Sequence, residues 1–81
     1  MTIIHDNNMP AGGVVLITPS DTVNLTNATR AIRVEVGGDV RVLTTLGQDV
    51  VCAFLSGETR PIMALRVFAT NTTATGIEGM Y

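Results

Sequence analysis

Apolar and polar residues alternate with period two from Ala31 to Val42, the spacing of a strand with one buried face. Ile32, Val34 and Val36 fall on one face, and Arg33 and Glu35 on the other. Gly37-Gly38-Asp39 interrupts the pattern before Val40, Arg41, Val42 and Leu43 resume it. Residues 29–42 therefore predict a β-hairpin with its tight return at the glycines.

The rest of the chain is also punctuated into short strand-like runs. Val14 to Ile17 is compact and apolar, and Thr18-Pro19-Ser20-Asp21 stops it, because a residue before proline is driven extended and Ser and Asp favour turns. Thr22 to Leu25 predicts a further short strand. Gln48 to Leu55 is nearly continuous in apolar residues from Val50 to Leu55, the pattern of a strand covered on both faces. Pro61 to Ala69 alternates again, with Leu65, Val67 and Ala69 on one face and Ala64, Arg66 and Phe68 on the other. A Thr/Asn loop over residues 70–75 precedes a last strand over residues 76–81. No helical period is sustained for 11 residues. The sum is an all-β domain over residues 14–81, a small antiparallel sandwich or barrel of six to seven short strands. Met1 to Gly13 has no period and holds Asn7-Asn8, Met9-Pro10 and Ala11-Gly12-Gly13, so it reads as an extended N-terminal arm. Leu25-x-x-x-Thr29-Arg30-Ala31-Ile32 echoes Leu55-x-x-x-Thr59-Arg60-Pro61-Ile62, but one such pair falls short of a repeat array.

At 81 residues the chain makes one small domain, of the size at which nature adds disulfides, metals or neighbours to a modest core. Cys52 is the sole cysteine and His5 the sole histidine, so neither an intrachain disulfide nor a common zinc site can be built. Neighbours remain. Hydrophobic residues are 46% of the chain and the mean hydropathy is +0.37, an excess that burial between copies would account for.

The formal charge is −2 and the five cations are all arginine, without the basic clustering that phosphate backbones require. Aromatics at 4% are too sparse for base stacking, so nucleic acid is not an expected partner. No run approaches the ~20 apolar residues of a membrane span, and the first residues lack the form of a signal peptide. Cytoplasmic synthesis and no membrane partner are the expectation. Asn24-Leu25-Thr26, Asn27-Ala28-Thr29 and Asn71-Thr72-Thr73 match the glycosylation pattern but read as turn residues.

Catalysis finds little support. His5 lies in the arm, Cys52 sits in the most apolar run where a small hydrophobe is ordinary, and no pair of carboxylates is marked out. No cofactor or metal is expected, and no catalytic residue is assigned. The arginines carry more information, since their forked guanidinium suits interfaces with carboxylates. Arg33, Arg41 and Arg66, with Phe68 beside Arg66 on its face and Ile3-Ile4 in the arm, are the candidate interface residues.

Three stretches together resemble a known family. They are Thr18-Pro19-Ser20-Asp21-Thr22, then Arg30-Ala31-Ile32-Arg33-Val34 with Gly38-Asp39-Val40-Arg41-Val42, and Arg66-Val67-Phe68-Ala69-Thr70-Asn71-Thr72-Thr73-Ala74-Thr75-Gly76-Ile77. In order and spacing they are similar to the head spike base proteins of gene transfer agents and related tailed phages, from about Thr18 to Tyr81. The resemblance implies a small β-sandwich-like virion protein made in the host cytoplasm and placed on the capsid exterior. It also implies a homo-oligomer, with a pentamer favoured, at the five-fold vertices, where it meets the major capsid protein and holds a head fibre protein. The arm over residues 1–13 is expected to contact the capsid or the fibre. Alternatives are a capsid cement protein at three-fold positions, or a carbohydrate-binding module of the virion surface. Against the last stand the absence of tryptophan and the single Tyr81.

Overall fold

A computed structural model describes residues 13–81, and these form an all-β sandwich. In chain order the strands are β1 (Val14–Leu16), β2 (Ala31–Val36), β3 (Gly38–Thr44), β4 (Asp49–Phe54), β5 (Thr59–Arg60), β6 (Ala64–Val67) and β7 (Thr75–Met80). One sheet has the order β1-β7-β2-β5 and the other β4-β3-β6, with every pairing antiparallel. Of the two architectures the sequence left open, the sandwich is the one adopted.

The alternation in β2 and β3 works as expected, while the hairpin between them does not form. Ile32, Val34, Val40 and Val42 are completely buried, and Arg33, Glu35 and Asp39 face outward. Yet β2 pairs with β5 and β7, and β3 with β4 and β6. Gly37 carries the chain from one sheet into the other, the way strands turn a corner in packed sheets. The glycines are needed for close approach. A Cβ on Gly37 would lie 2.7 Å from the Phe54 carbonyl oxygen, and one on Gly38 2.7 Å from Thr73 Oγ1. The chain's true tight return is β3–β4, where Gly47 takes a φ of 80° and the Thr44 amide donates to the Gln48 carbonyl.

Two further expectations are corrected. Residues 22–25 form no strand, because the Ser20 hydroxyl accepts from the Thr22 and Val23 amides and turns the chain. The β4 strand, which reads as covered on both faces, is a sheet edge with Val51 52% exposed. Cys52 on it is only half-buried. The echoed Leu25 and Leu55 segments lead to different elements, β2 and the two-residue β5, which pair with each other.

The core is aliphatic. Ile32, Val34 and Ile77 from one sheet meet Val40, Val42, Ala64 and Val67 from the other, with Phe54 and Ile17 at its ends. Each such side chain contributes about 1.5–3 kcal/mol on burial.

Thr29 is the buried polar residue inside this packing. Its hydroxyl donates to the Ile62 carbonyl at 2.7 Å and accepts from the Ala64 amide at 3.0 Å, while its own amide donates to the Ala64 carbonyl. With the Ser20 amide on the Val67 carbonyl and the Leu25 amide on the Leu65 carbonyl, the segment between β1 and β2 lies along the open side of β6 and closes it. Asp21 fastens the far end. Its carboxylate accepts from the Thr70 amide at 2.9 Å and from the Thr70 hydroxyl at 2.7 Å. Those two hydrogen bonds, the amide foremost, lower its pKa below the ordinary aspartate value.

Two outcomes are expected. Thr29→Val keeps the shape but strands the Ala64 amide and Ile62 carbonyl, costing about 1–3 kcal/mol and several degrees of Tm. A thermal melt at the wild-type Tm would remove Thr29 from this role. For Asp21 the folded pKa is depressed, so its stabilisation is present above the unfolded aspartate value of about 3.9 and is lost as pH falls through the lower folded value. Asp21→Asn should therefore melt below wild type at pH 7, and the gap should close as the buffer is acidified below that range. A gap independent of pH would assign the difference to something other than the carboxylate's charge.

Candidate functional site

The functional surfaces follow from which side chains the two sheets turn outward. On the outer face of β4-β3-β6, Arg41 of β3 lies between Val51 of β4 and Phe68, which directly follows β6. The Phe68 amide donates to the Arg41 carbonyl, so the ladder continues one residue past the strand and fixes the ring beside the guanidinium. The Arg41 Cζ stands 4.1 Å from the ring centroid and that of Arg66 5.4 Å. Phe68 is buried beneath two cations, each favoured by the negative face of its ring.

Both guanidiniums are also held at their edges. Arg41 donates to both Asp49 carboxylate oxygens, Nε to Oδ1 at 2.9 Å and Nη2 to Oδ2 at 2.7 Å. This forked pair raises the arginine pKa and lowers that of Asp49. Arg66 donates to Asn24 Oδ1 at 2.8 Å and to the Asp21 carbonyl at 3.0 Å. Three of the residues singled out in the sequence, Arg41, Arg66 and Phe68, thus form one cluster.

Arg33 is elsewhere, on the outer face of the other sheet. It lies directly across from Glu78 of β7 and donates to it at 2.6 Å and to Glu35 at 3.0 Å, contacts that raise its pKa with Glu78 the larger cause. Ile3 and Ile4 lie outside the described residues. Arg60, not singled out in the sequence, covers the Phe54 ring at 4.9 Å and pairs with Glu58.

A second kind of surface emerges from the structure that the sequence search for charged sites passed over. Val14, Val15 and Leu16 of β1 are all more than half exposed, and so are Val51, Leu55 and Leu46 in and around β4. The signal was present in the sequence, in two runs apolar on both strand faces. Among the described residues no group of three His, Cys, Asp or Glu side chains could hold a metal ion. An open groove of about 430 Å³ beside β1 is lined by Val15, Leu16, Ile17, Leu25 and Tyr81 and holds no catalytic constellation.

Comparison with known proteins is informative at the level of solved structures. No family model matches the chain, and no curated protein matches it. Among solved structures, a chain of a structure described as "Capsid of native GTA particle computed with C5 symmetry" superposes with a TM-score of 0.88. The two are 36% identical over 96% of this chain and 92% of the other. A match of that identity, extent and superposition shows common family, and the chain belongs to the gene transfer agent capsid proteins, virion structural proteins rather than enzymes.

Proposed function

We propose that this capsid protein is the base of a head spike. In this reading several copies, most simply five, sit on the capsid exterior at a five-fold vertex, bind the major capsid protein and hold a fibre. The observation that carries it is the near-complete match to a chain of a capsid particle computed with C5 symmetry. The match extends over almost the full length of both chains, as expected of a protein doing the same job. The stretches between Thr18 and Ile77 that resemble spike base proteins support the finer assignment.

The geometry fits a fixed connector. Arg41 and Arg66 are oriented by Asp49, Asn24 and Phe68 before any partner arrives, so little side-chain entropy remains to be lost on binding. These residues, the Arg33 ladder, and Ile3 and Ile4 of the arm over residues 1–13 are the proposed contacts with capsid or fibre.

Purified chain added to capsids that lack it tests this by cryo-electron microscopy. Added density outside the shell at the five-fold vertices is the expected result. Density at three-fold positions would replace the spike base by a cement protein, and bare capsids would overturn capsid attachment by this chain alone. Deleting residues 1–13 should abolish attachment while leaving the circular dichroism spectrum of the sandwich. Undiminished attachment would remove the arm from the contact.

A further inference from the structure

A two-sheet sandwich has four edges, and in this chain they are treated unequally. The β6 edge is closed by backbone hydrogen bonds from Ser20, Leu25 and Thr29. The β5 edge is two residues long, too short to template another strand. Among the described residues, the β1 and β4 edges are open. Each pairs on one side only, with β7 and β3 respectively.

Neither open edge carries the usual protection against pairing with another chain. No lysine or proline interrupts them, and Val14-Val15-Leu16-Ile17-Thr18 is uncharged. The one acid in β4, Asp49, is already held by Arg41. Both strands are apolar on both faces, the composition of strands inside a sheet rather than at its margin. Val15 is 54% exposed and Leu16 70%, and Val51 52% and Leu55 76%.

Their placement is equally specific. The chain leaves β1 and within four residues is bonded to β6, through the Ser20 amide on the Val67 carbonyl. It leaves β4 and turns at once into β5, where Arg60 covers Phe54. Thus β1 and β6 share one end of the sandwich and β4 and β5 the other, so the open edges lie at opposite ends and in different sheets. Pairing β4 with β4 would close a dimer and leave β1 bare in each copy. Pairing β4 of one copy with β1 of the next covers both edges in every copy and generates a ring when the rotation closes.

We infer that the copies join head to tail by strand addition, the β4 edge of one onto the β1 edge of the next. The inference rests on the oligomeric base proposed above and names its subunit contact. The groove flanking β1, lined by Leu16, Leu25 and Tyr81, receives the apolar side chains of the incoming strand. The main chain supplies the hydrogen bonds and the alternating side chains the fit.

The test is a complementation of two full-length variants followed by native mass spectrometry. Val15→Lys blocks the β1 edge and keeps β4, and Val51→Lys does the reverse. Circular dichroism melts confirm that each is folded, and if either is not, Leu16→Lys and Leu55→Lys replace them. Wild type should assemble at tens of micromolar, and each variant alone should be monomeric, its assembly shifted at least about tenfold higher in concentration. Mixed, with one isotope-labelled, they should give a 1:1 heterodimer and nothing larger, because one intact β4–β1 contact survives.

Assembly of Val15→Lys beside monomeric Val51→Lys would overturn the inference in favour of a β4–β4 dimer. Assembly of both variants would move the contact to another surface. A mixture that stays monomeric would mean that the edges take something other than each other, and a monomeric wild type that copies do not pair in solution. Each of these defeats edge pairing alone, since decoration of capsid vertices by wild type is measured separately and decides the spike base reading.

Discussion

The passage of the chain from one sheet to the other at Gly37–Gly38 is the constraint from which the remaining topology follows. A hairpin at this point would place β2 and β3 side by side in one sheet, with their apolar faces pointing the same way. The crossing instead sets Ile32 and Val34 against Val40 and Val42, so a single continuous stretch of alternating sequence supplies both walls of the core. Two backbones cross too tightly for any side chain there, with atoms of the β4–β5 turn and of the segment before β7 inside the space of a Cβ. Once β3 is committed to the second sheet, β4 can only flank it, and a strand as apolar as any in the chain is left at the margin.

The treatment of edges then divides the molecule into a closed part and an open part. The segment between β1 and β2 has no regular structure of its own, yet its amides serve β6 at three points and Thr29 inserts a hydroxyl into the core to complete the seal. Beyond the end of β6, the Thr72 and Thr73 hydroxyls accept from the Arg41 and Asp39 amides, so that side chains extend a ladder the strands cannot. Such satisfied closure is expensive in sequence, since each point needs a particular residue. Its absence at β1 and β4 is therefore a property of those strands and is matched by their unbroken apolar composition.

Much of this was legible beforehand, and the failures have a common cause. In β6 the alternation misassigned the faces, since a register shift opposite Leu43 and Thr44 brings Ala64 and Val67 into the core together. Period-two alternation located β2 and β3 to within a few residues, because inward positions must be apolar whichever strand lies next door. Alternation is silent about which strand that is. Gly37-Gly38 signals a change of direction with equal force for a hairpin and for a crossing, and the distinguishing contacts come from Phe54 and Thr73, far along the chain. Arg66 and Phe68 were placed on one face by the alternation, but the arrival of Arg41 beside them depends on β6 pairing with β3. The Thr22–Leu25 strand failed because Ser20 offers two amides a nearer acceptor. For Val50 to Leu55 the pattern implied a covered strand, and among the described residues the cover is absent.

That last discrepancy bears on how so small a domain can serve a virion. A sandwich of this length buries too little surface to keep a large reserve of stability, and it has no disulfide to supplement it. Its charged residues do not compensate, for the Arg33–Glu78 and Arg41–Asp49 pairs are partly solvated and such pairs contribute little to folding. Their effect is to hold guanidiniums in fixed positions on faces that remain outward. Apolar area, which could have deepened the private core, has instead been distributed to two edges at opposite ends. In the head-to-tail assembly inferred above, the shared contact covers what each copy leaves open.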